Sequence, residues 1–186
     1  LQGKLGERIS IPGLTLIDDP HLIGANQSCY LDAEGCLTRR LKIIEGGVFS
    51  NFLYHVESAK KEKKDSTGNA TRSYSSGIST RLHNLVWPKG NYSLEKLCAL
   101  TNRCLLVTQL EGQAGCNPIS GDISIGVQGF LYENGRRIQP VENITLAGNF
   151  FEILFNVKES GDKYQPEITN FFIPALLIEG LSISGD

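Results

Sequence analysis

The chain has 186 residues, of which 40% are hydrophobic and 20% are charged, a composition typical of a globular protein that can bury a sizeable core. Its formal net charge is -2, so it lacks the basic field that holds a phosphate backbone, and we expect no direct nucleic-acid binding. Its apolar runs are far shorter than the roughly 20 residues of a membrane-spanning helix. We therefore expect no membrane partner.

The start of the chain and its cysteines bear on its origin. The sequence contains no methionine, and Leu1-Gln2-Gly3-Lys4 shows no signal-peptide pattern. We expect a fragment of a longer protein that forms one domain or two closely packed lobes. The five cysteines include no Cys-x-x-Cys pair, which predicts neither a disulfide framework nor a zinc knuckle and fits a reducing cytoplasm.

The first predicted elements are a strand and a hairpin. The strand lies between Ile9 and Pro20 and ends in a turn at Asp18 and Asp19. Neighbouring strand residues point to opposite faces, so these two carboxylates are poorly placed to share a proton or a metal, and we assign both to the turn. The segment from Arg39 to Tyr54 predicts a hairpin that turns at Glu45-Gly46-Gly47.

A charged helix and a polar loop are predicted next. The helix runs from His55 to Asp65 and interleaves four lysines with Glu57 and Glu62, which favours a solvated helix face over a nucleic-acid surface because no aromatic residues accompany the lysines. The segment from Ser66 to Ser79 is rich in Ser, Thr, Gly and Asn, a pattern typical of a surface loop.

The remaining elements are mostly strands joined by tight turns. Asn134-Gly135 is the strongest hairpin signal in the chain. The predictions are a strand at 81–87, a short helix after the N-cap Ser93, a buried strand at 104–110, a strand at 123–132, a short helix within 148–157 and a last strand at 172–184. This order predicts the α+β class, with a predominantly antiparallel β-sheet and two or three short helices.

Motifs for catalysis are absent from the sequence. The histidines His21, His55 and His83 are too far apart for an HExxH-like ligand pair, so we assign each to the surface or to a hydrogen bond. No Gly-x-Ser-x-Gly elbow and no phosphate-binding glycine loop occurs. The residues alone therefore predict no catalytic or metal site in this chain.

Several segments carry a more specific signal through their joint order. They are 5–10 with 15–20, 32–40 with 44–48, Ser66-Thr67-Gly68-Asn69-Ala70-Thr71-Arg72, Asn117-Pro118-Ile119-Ser120-Gly121-Asp122 continuing through 129–135, 140–142 and 145–149, and finally 174–181. In this order they resemble the TldD/PmbA family, peptidase family U62, long labelled modulators of DNA gyrase. The resemblance spans almost the whole chain and implies that residues 1–186 form a single TldD/PmbA carboxy-terminal domain.

The resemblance implies a bacterial, cytoplasmic protein that acts in proteolysis of small or unfolded peptides. In the TldD subunit of the family, an HExxxH helix and a late cysteine bind zinc. This chain has no cysteine between Gly148 and Asp186, and the motif from Ser120 to Phe130 looks like the PmbA version. The resemblance therefore implies a PmbA/TldE-type, non-catalytic subunit with no cofactor of its own, zinc being expected only in the TldD-type partner.

Two partners and two functions stay open from the sequence. The partner is a TldD-like subunit or a second copy in a homodimer. The alternative function is a non-enzymatic interaction module that modulates DNA gyrase. Lys158–Asp162 and Cys116 depart from the family pattern, and the role of Cys116 is open.

The candidate cleft or interface residues lie in two polar segments. They are Asn117, Ser120, Gly121, Asp122, Gly68, Asn69 and Arg72. In the loop from Glu111 to Asp122, glycines allow close approach of a partner, and the polar side chains offer hydrogen bonds without a base or nucleophile pair. This loop is predicted to shape a peptide cleft or a subunit contact. The alternative is a structural turn in which Asp122 caps local amides.

Overall fold

A computed structural model describes residues 3–112, 115–164 and 169–185. Its elements in chain order are β1 (Leu16–Asp18), β2 (Leu41–Glu45), β3 (Val48–Phe49), α1 (Val56–Lys61), β4 (Ala70–Ser73), β5 (Ser76–Thr80), β6 (Leu85–Val86), α2 (Leu94–Ala99), β7 (Arg103–Glu111), β8 (Asp122–Glu133), β9 (Arg136–Asn149), α3 (Phe150–Asn156), β10 (Val157–Tyr164), β11 (Phe171–Phe172), β12 (Pro174–Ile178) and β13 (Ser182–Ser184). The mostly antiparallel sheets and short helices confirm the α+β class.

The described residues divide into two compact units. The first comprises residues 3–8, 12–88 and 169–173, and the second comprises 9–11, 89–112, 115–164 and 174–185. None of the described helices is long and apolar enough to cross a membrane. Because the division into units does not test independent folding, the assignment of residues 1–186 to a single domain stays a prediction.

The first unit is built on a five-stranded sheet in the order β11-β6-β1-β2-β3. All its pairs are antiparallel except β11 with β6. The β2 strand buries Leu41 and Ile44, and the turn to β3 uses Gly46 and Gly47 at φ of 60° and 89°. The predicted hairpin and its glycine turn are confirmed, since positive φ at both central positions suits the twist of the strands.

The segment 66–79, predicted as a surface loop, is exposed from Arg72 to Ser79 as expected, but it forms a hairpin rather than a loop. β4 and β5 pair antiparallel, with Ala70 opposite Thr80. Residues 67–70 are buried rather than exposed. Thr and Ser occur in strands as well as in loops, and here residues 70–73 pair with 76–80 beside a buried segment at 67–70. The charged helix before it is confirmed as α1, although it ends at Lys61.

The second unit contains a four-stranded antiparallel sheet in the order β13-β9-β8-β7. β8 and β9 are joined by the predicted turn, with Asn134 and Gly135 at φ of 48° and 75°. Alternate residues of β8, Ile125 and Val127, point to one face and form the core with Ile144. The hairpin signal is confirmed because these two residues tolerate the left-handed region.

The helices of the second unit begin at identifiable caps. The side chain of Ser93 accepts from the backbone N–H of Lys96 at the start of α2, as predicted, and Asn149 accepts from Phe151 at the start of α3. The pair β10 and β12 forms a separate antiparallel sheet.

Three strand predictions need correction. The segment 172–184 was predicted as one strand, but β11, β12 and β13 belong to three different sheets, and Gly180 at φ of 77° interrupts the run. The strand predicted at 81–87 is reduced to Leu85–Val86. The strand predicted at 104–110 exists as β7, but it is only half-buried and becomes exposed from Thr108, because it lies at the edge of its sheet.

Candidate functional site

A polar pocket of about 220 Å³ lies in the first unit. It is formed by the segment before β2, by β4 and by the chain that follows β5. Its lining residues are Cys29, Leu31, Asp32, Ala33, Ala70, Thr71, Arg72, Arg81 and His83. Concave surfaces that combine an apolar wall with a few charged groups are the usual form of a ligand site.

A buried hydrogen-bonded group supports this pocket from behind. Asp18, at the end of β1, has no exposed surface. Its Oδ1 accepts from the backbone N–H of His83 at 2.8 Å, and its Oδ2 accepts from Asn69 Nδ2 at 2.6 Å. The prediction that Asp18 belongs to a turn is wrong, because Asp18 is the last residue of β1. Its carboxylate joins three segments of the chain. Asp19 does form the turn, where its Oδ1 accepts from the N–H of His21.

The hydrogen bonds define how the imidazole of His83 is held. His83 Nδ1 lies 3.1 Å from Asp18 Oδ2 and 3.1 Å from Asn69 Nδ2. Asn69 Nδ2 also donates to the carbonyl of Arg81 at 3.0 Å. The network is satisfied when Nδ1 carries a proton and donates to Asp18, while the two Asn69 protons go to Asp18 and Arg81.

This assignment gives Nε2 of His83 no role in the network. Among the described residues no hydrogen-bond partner of Nε2 is seen, and His83 is one of the residues that line the pocket. The expectation of a hydrogen-bonded histidine is confirmed, and Asp18 orients it as a carboxylate orients a catalytic or ligand-binding imidazole.

Two of the predicted candidates, Gly68 and Asn69, hold this network in place. Gly68 is at φ of 74°, and a Cβ there would lie 2.4 Å from the carbonyl oxygen of Leu37. Only glycine fits this conformation and this close approach. Asn69 Oδ1 accepts from the hydroxyl of Thr67 at 2.7 Å. Both candidates therefore position the pocket rather than line it.

The charged groups of the pocket differ in how they are satisfied. Asp32 accepts backbone N–H groups of Glu34, Cys36 and Ala70 at 2.9 to 3.0 Å. The predicted candidate Arg72 and its neighbour Arg81 are exposed pocket residues, and within the described residues neither guanidinium has an ion-pair partner. The pocket lining thus contains two arginines and one carboxylate, and backbone amides already satisfy the carboxylate.

Cys29 also lines the pocket but does not form a nucleophile pair with His83. No hydrogen bond joins its sulfur to the imidazole among the described residues, where Nδ1 of His83 instead contacts Asp18 and Asn69. Burial raises the pKa of the Cys29 thiol, and the nearby Arg81 only partly opposes that effect. A protonated thiol is a poor nucleophile. The geometry suits binding through hydrogen bonds and charge, and the described residues contain no group of three or more His, Cys, Asp or Glu side chains that could hold a metal ion.

The other predicted candidates form an ordered turn in the second unit. Asn117 Oδ1 accepts from the N–H groups of Ile119 and Ser120. The hydroxyl of Ser120 donates to Asp122 Oδ2 at 2.6 Å, and Asn149 Nδ2 donates to Asp122 Oδ1 at 2.9 Å. These hydrogen bonds hold the pKa of Asp122 below its ordinary value.

Gly121 closes this turn against the start of α3. It is at φ of 81°, and a Cβ there would lie 2.7 Å from the ring of Phe151. The N–H of Phe150 donates to the carbonyl of Gly121 at 2.7 Å. The contacts favour the structural alternative for this loop, with Asp122 bound to side chains rather than to amides. Residues 113 and 114 of the predicted loop lie outside the described residues, and the cleft or contact role of the loop stays a prediction.

Sequence reasoning found part of the pocket and missed its other members. Gly68, Asn69 and Arg72 were predicted, whereas Asp32, Arg81 and His83 were not given a site role. A polar residue at the end of an apolar strand, such as Asp18 after Leu16 and Ile17, was the available signal, since buried carboxylates require partners.

These observations define a class of protein: an α+β module with antiparallel sheets and a polar binding pocket. The model of the PmbA/TldA metallopeptidase C-terminal domain family matches residues 1–185. The chain belongs to the PmbA/TldD family.

Named relatives agree with this assignment. Metalloprotease PmbA of Escherichia coli O157:H7 is 34% identical over 185 residues, covering 100% of this chain and 39% of the relative. TldE from Thermococcus kodakarensis has a TM-score of 0.90 at 32% identity, covering 98% of this chain and 42% of that structure. A structure from Thermotoga maritima, named as a candidate modulator of a DNA gyrase, has a TM-score of 0.89 at 33% identity, covering 99% and 42%. The chain therefore spans about two fifths of these relatives.

Proposed function

We propose that this chain is part of a PmbA-like, non-catalytic subunit of a cytoplasmic TldD/PmbA metallopeptidase complex that degrades or processes small or unfolded peptides. Its partner is a TldD-like subunit, which carries the zinc, and the role of this chain is to hold the peptide. The similarity to proteins named metalloprotease PmbA supports a role in proteolysis. One structural observation supports the peptide-holding role, namely a free strand edge at the pocket.

The free part of this edge lies at Arg72 of β4, because the outward backbone groups of Ala70 are already bound. The N–H of Ala70 donates to Asp32 Oδ2 and its carbonyl accepts from the N–H of Ala33, so the backbone groups of Ala70 point away from β5. Along a strand, the backbone N–H and C=O groups of successive residues point alternately to one side and to the other. The register with β5 shifts between Thr71 and Ser73, where β5 carries one residue more than β4. Because the extra residue lies in β5 and β4 stays extended, we expect the N–H and C=O of Arg72 to point away from β5, as those of Ala70 do, and Arg72 is also a lining residue of the pocket.

An edge of this kind suits unfolded peptides. An extended chain can add to it through backbone hydrogen bonds, which do not depend on the peptide's side chains. In the described residues, no strand other than β5 pairs with β4. The neighbouring pocket supplies the limited side-chain selectivity that such a site needs.

The test is reconstitution of the full-length protein with its TldD-like partner. We expect the pair to cleave unstructured peptides, and cleavage to stop when a chelator removes zinc from the partner. The partner alone should cleave the same peptides much more slowly. Equal cleavage by the partner alone would contradict a peptide-holding role for this subunit.

A second function is kept because of the name of one structural relative, a candidate modulator of a DNA gyrase. On this hypothesis the protein binds gyrase directly and has no role in proteolysis. Co-purification from the native organism distinguishes the two. Recovery of gyrase without a TldD-like subunit, together with no peptide cleavage, would favour the interaction module.

A further inference from the structure

We propose that the pocket of the first unit binds the carboxy-terminal carboxylate of an extended peptide, through the guanidinium groups of Arg72 and Arg81. This inference rests on the proposed peptide-holding function and names the end of the peptide that is recognised. The ligand chemistry follows from which groups of the pocket are already satisfied and which are free.

The two arginines are the free groups. Neither has an ion-pair partner within the described residues, and both line the pocket. The backbone of Arg81 is fixed, because its N–H donates to the Asn69 carbonyl and its own carbonyl accepts from Asn69 Nδ2. Guanidinium groups bind carboxylates through paired, charge-assisted hydrogen bonds.

The remaining charges do not prevent an anion from binding. Asp32 is the carboxylate among the lining residues, and three backbone N–H groups hold its oxygens. Asp18 lies behind the pocket, fully buried and bound to His83 and Asn69. His83 is a further polar residue of the pocket lining.

The apolar part of the lining suits the last residue of a peptide. Leu31, Ala33 and Ala70 form a wall in the same pocket, and a volume of about 220 Å³ accommodates one aliphatic side chain with its terminal carboxylate. The outward backbone groups of Arg72 lie beside it, where the preceding residues of an extended peptide would pair. A terminal carboxylate next to an apolar side chain therefore matches the site better than an isolated anion.

The experiment compares two peptides that differ only at the carboxy terminus. An unstructured peptide ending in leucine is prepared as the free acid and as the amide, with a fluorophore at its amino terminus. Binding to the full-length protein in its assembly is measured by anisotropy with chelator present, so that no cleavage occurs. We expect the free acid to bind roughly tenfold more tightly or better, the usual effect of a charge-assisted hydrogen bond.

The variants identify the groups that cause this preference. Arg81→Ala and Arg72→Ala should each bring the affinity ratio of acid to amide close to one. Arg39→Ala is the matched control, because Arg39 is an exposed arginine of the same unit outside the pocket, and it should retain the preference. A ratio near one in the wild-type protein, or an unchanged ratio in both pocket variants, overturns the proposal.

Two further results separate the alternatives. If N-acetyl-leucine competes as tightly as the peptide acid, the site binds small organic acids, and the assignment to a peptide terminus is overturned. If the acid and the amide are bound equally and both are cleaved by the complex, the carboxylate site fails while the proposed function stands. Failure of the complex to cleave any peptide is instead a failure of the proposed function.

Discussion

The Nδ1 nitrogen of His83 lies 3.1 Å from Oδ2 of Asp18, although 65 residues separate them along the chain. This contact joins the end of β1 to the chain that follows β5. It gives the imidazole a fixed orientation at the pocket, and it makes Asp18 the residue on which the order of the site depends.

Replacement of Asp18 should therefore lower stability strongly. Asp18→Ala removes the acceptor for one backbone N–H and two side-chain groups, all buried. We expect the free energy of unfolding to fall by about 3 kcal/mol, as is usual for a broken buried network. Urea denaturation measures this change. Asp65→Ala, at an exposed position of the same unit, should change it by less than about 0.5 kcal/mol. Equal effects of the two variants would contradict a central role for Asp18.

The number of residues that separate two contacting groups explains which features could be predicted from the sequence. The turn at Asn134-Gly135 and the cap at Ser93 depend on neighbouring residues, so local patterns were sufficient. The burial of Asp18 depends on partners more than fifty residues away, which no local pattern reveals. The site was predicted only where the family resemblance marked it, at Gly68, Asn69 and Arg72.

The loop of the second unit allows a test of its two interpretations. Changing both Asn117 and Asp122 to alanine in the full-length protein removes the acceptors for two N–H groups, one hydroxyl and the Asn149 amide. If the loop forms a subunit contact or a cleft, assembly or peptide turnover should fall with little change in melting temperature. If it is structural, as its contacts favour, the melting temperature should fall by several degrees while the folded fraction assembles and supports cleavage normally.

The carboxylate of Asp122 also predicts a pH dependence. Hydrogen bonds from Ser120 and then from Asn149 lower its pKa below the ordinary value of 3.8. A carboxyl with a depressed pKa in the folded state stabilises the protein above its unfolded pKa and loses this contribution as pH falls through the folded value. The gap in melting temperature between the wild-type protein and Asp122→Asn should thus be constant above about pH 5 and shrink below pH 3.8. A gap that widens on acidification would contradict this assignment.

The free cysteines should differ in their reaction with a thiol reagent. Cys116 is exposed, whereas Cys98 is buried. Burial, followed by the charge of the neighbouring Cys104, raises the pKa of Cys98 to about 11. Roughly one Cys98 thiol in a thousand is ionised at pH 8, so Cys98 should be labelled last in the folded protein. Cys116→Ser should remove a fast phase and leave the slow one. Rapid labelling of Cys98 under native conditions would contradict its burial.

The most direct test of the central claim is a proline at the free edge of β4. Arg72→Pro removes the outward N–H that a peptide would use, and an edge strand tolerates proline without loss of the sheet. The control Gly77→Ala changes the same hairpin on β5, where a Cβ meets no atom within 4 Å. Arg72→Ala measures the contribution of the side chain alone.

Peptide cleavage by the reconstituted complex is then measured with an amidated substrate, so that the terminal carboxylate does not contribute. We expect Arg72→Pro to raise the KM roughly tenfold with little change in kcat, because a lost backbone hydrogen bond leaves the partner group unpaired. Gly77→Ala should retain the wild-type KM, and the KM of Arg72→Ala should lie nearer to the wild-type value than that of Arg72→Pro. A wild-type KM in a folded Arg72→Pro protein would contradict peptide binding at this edge.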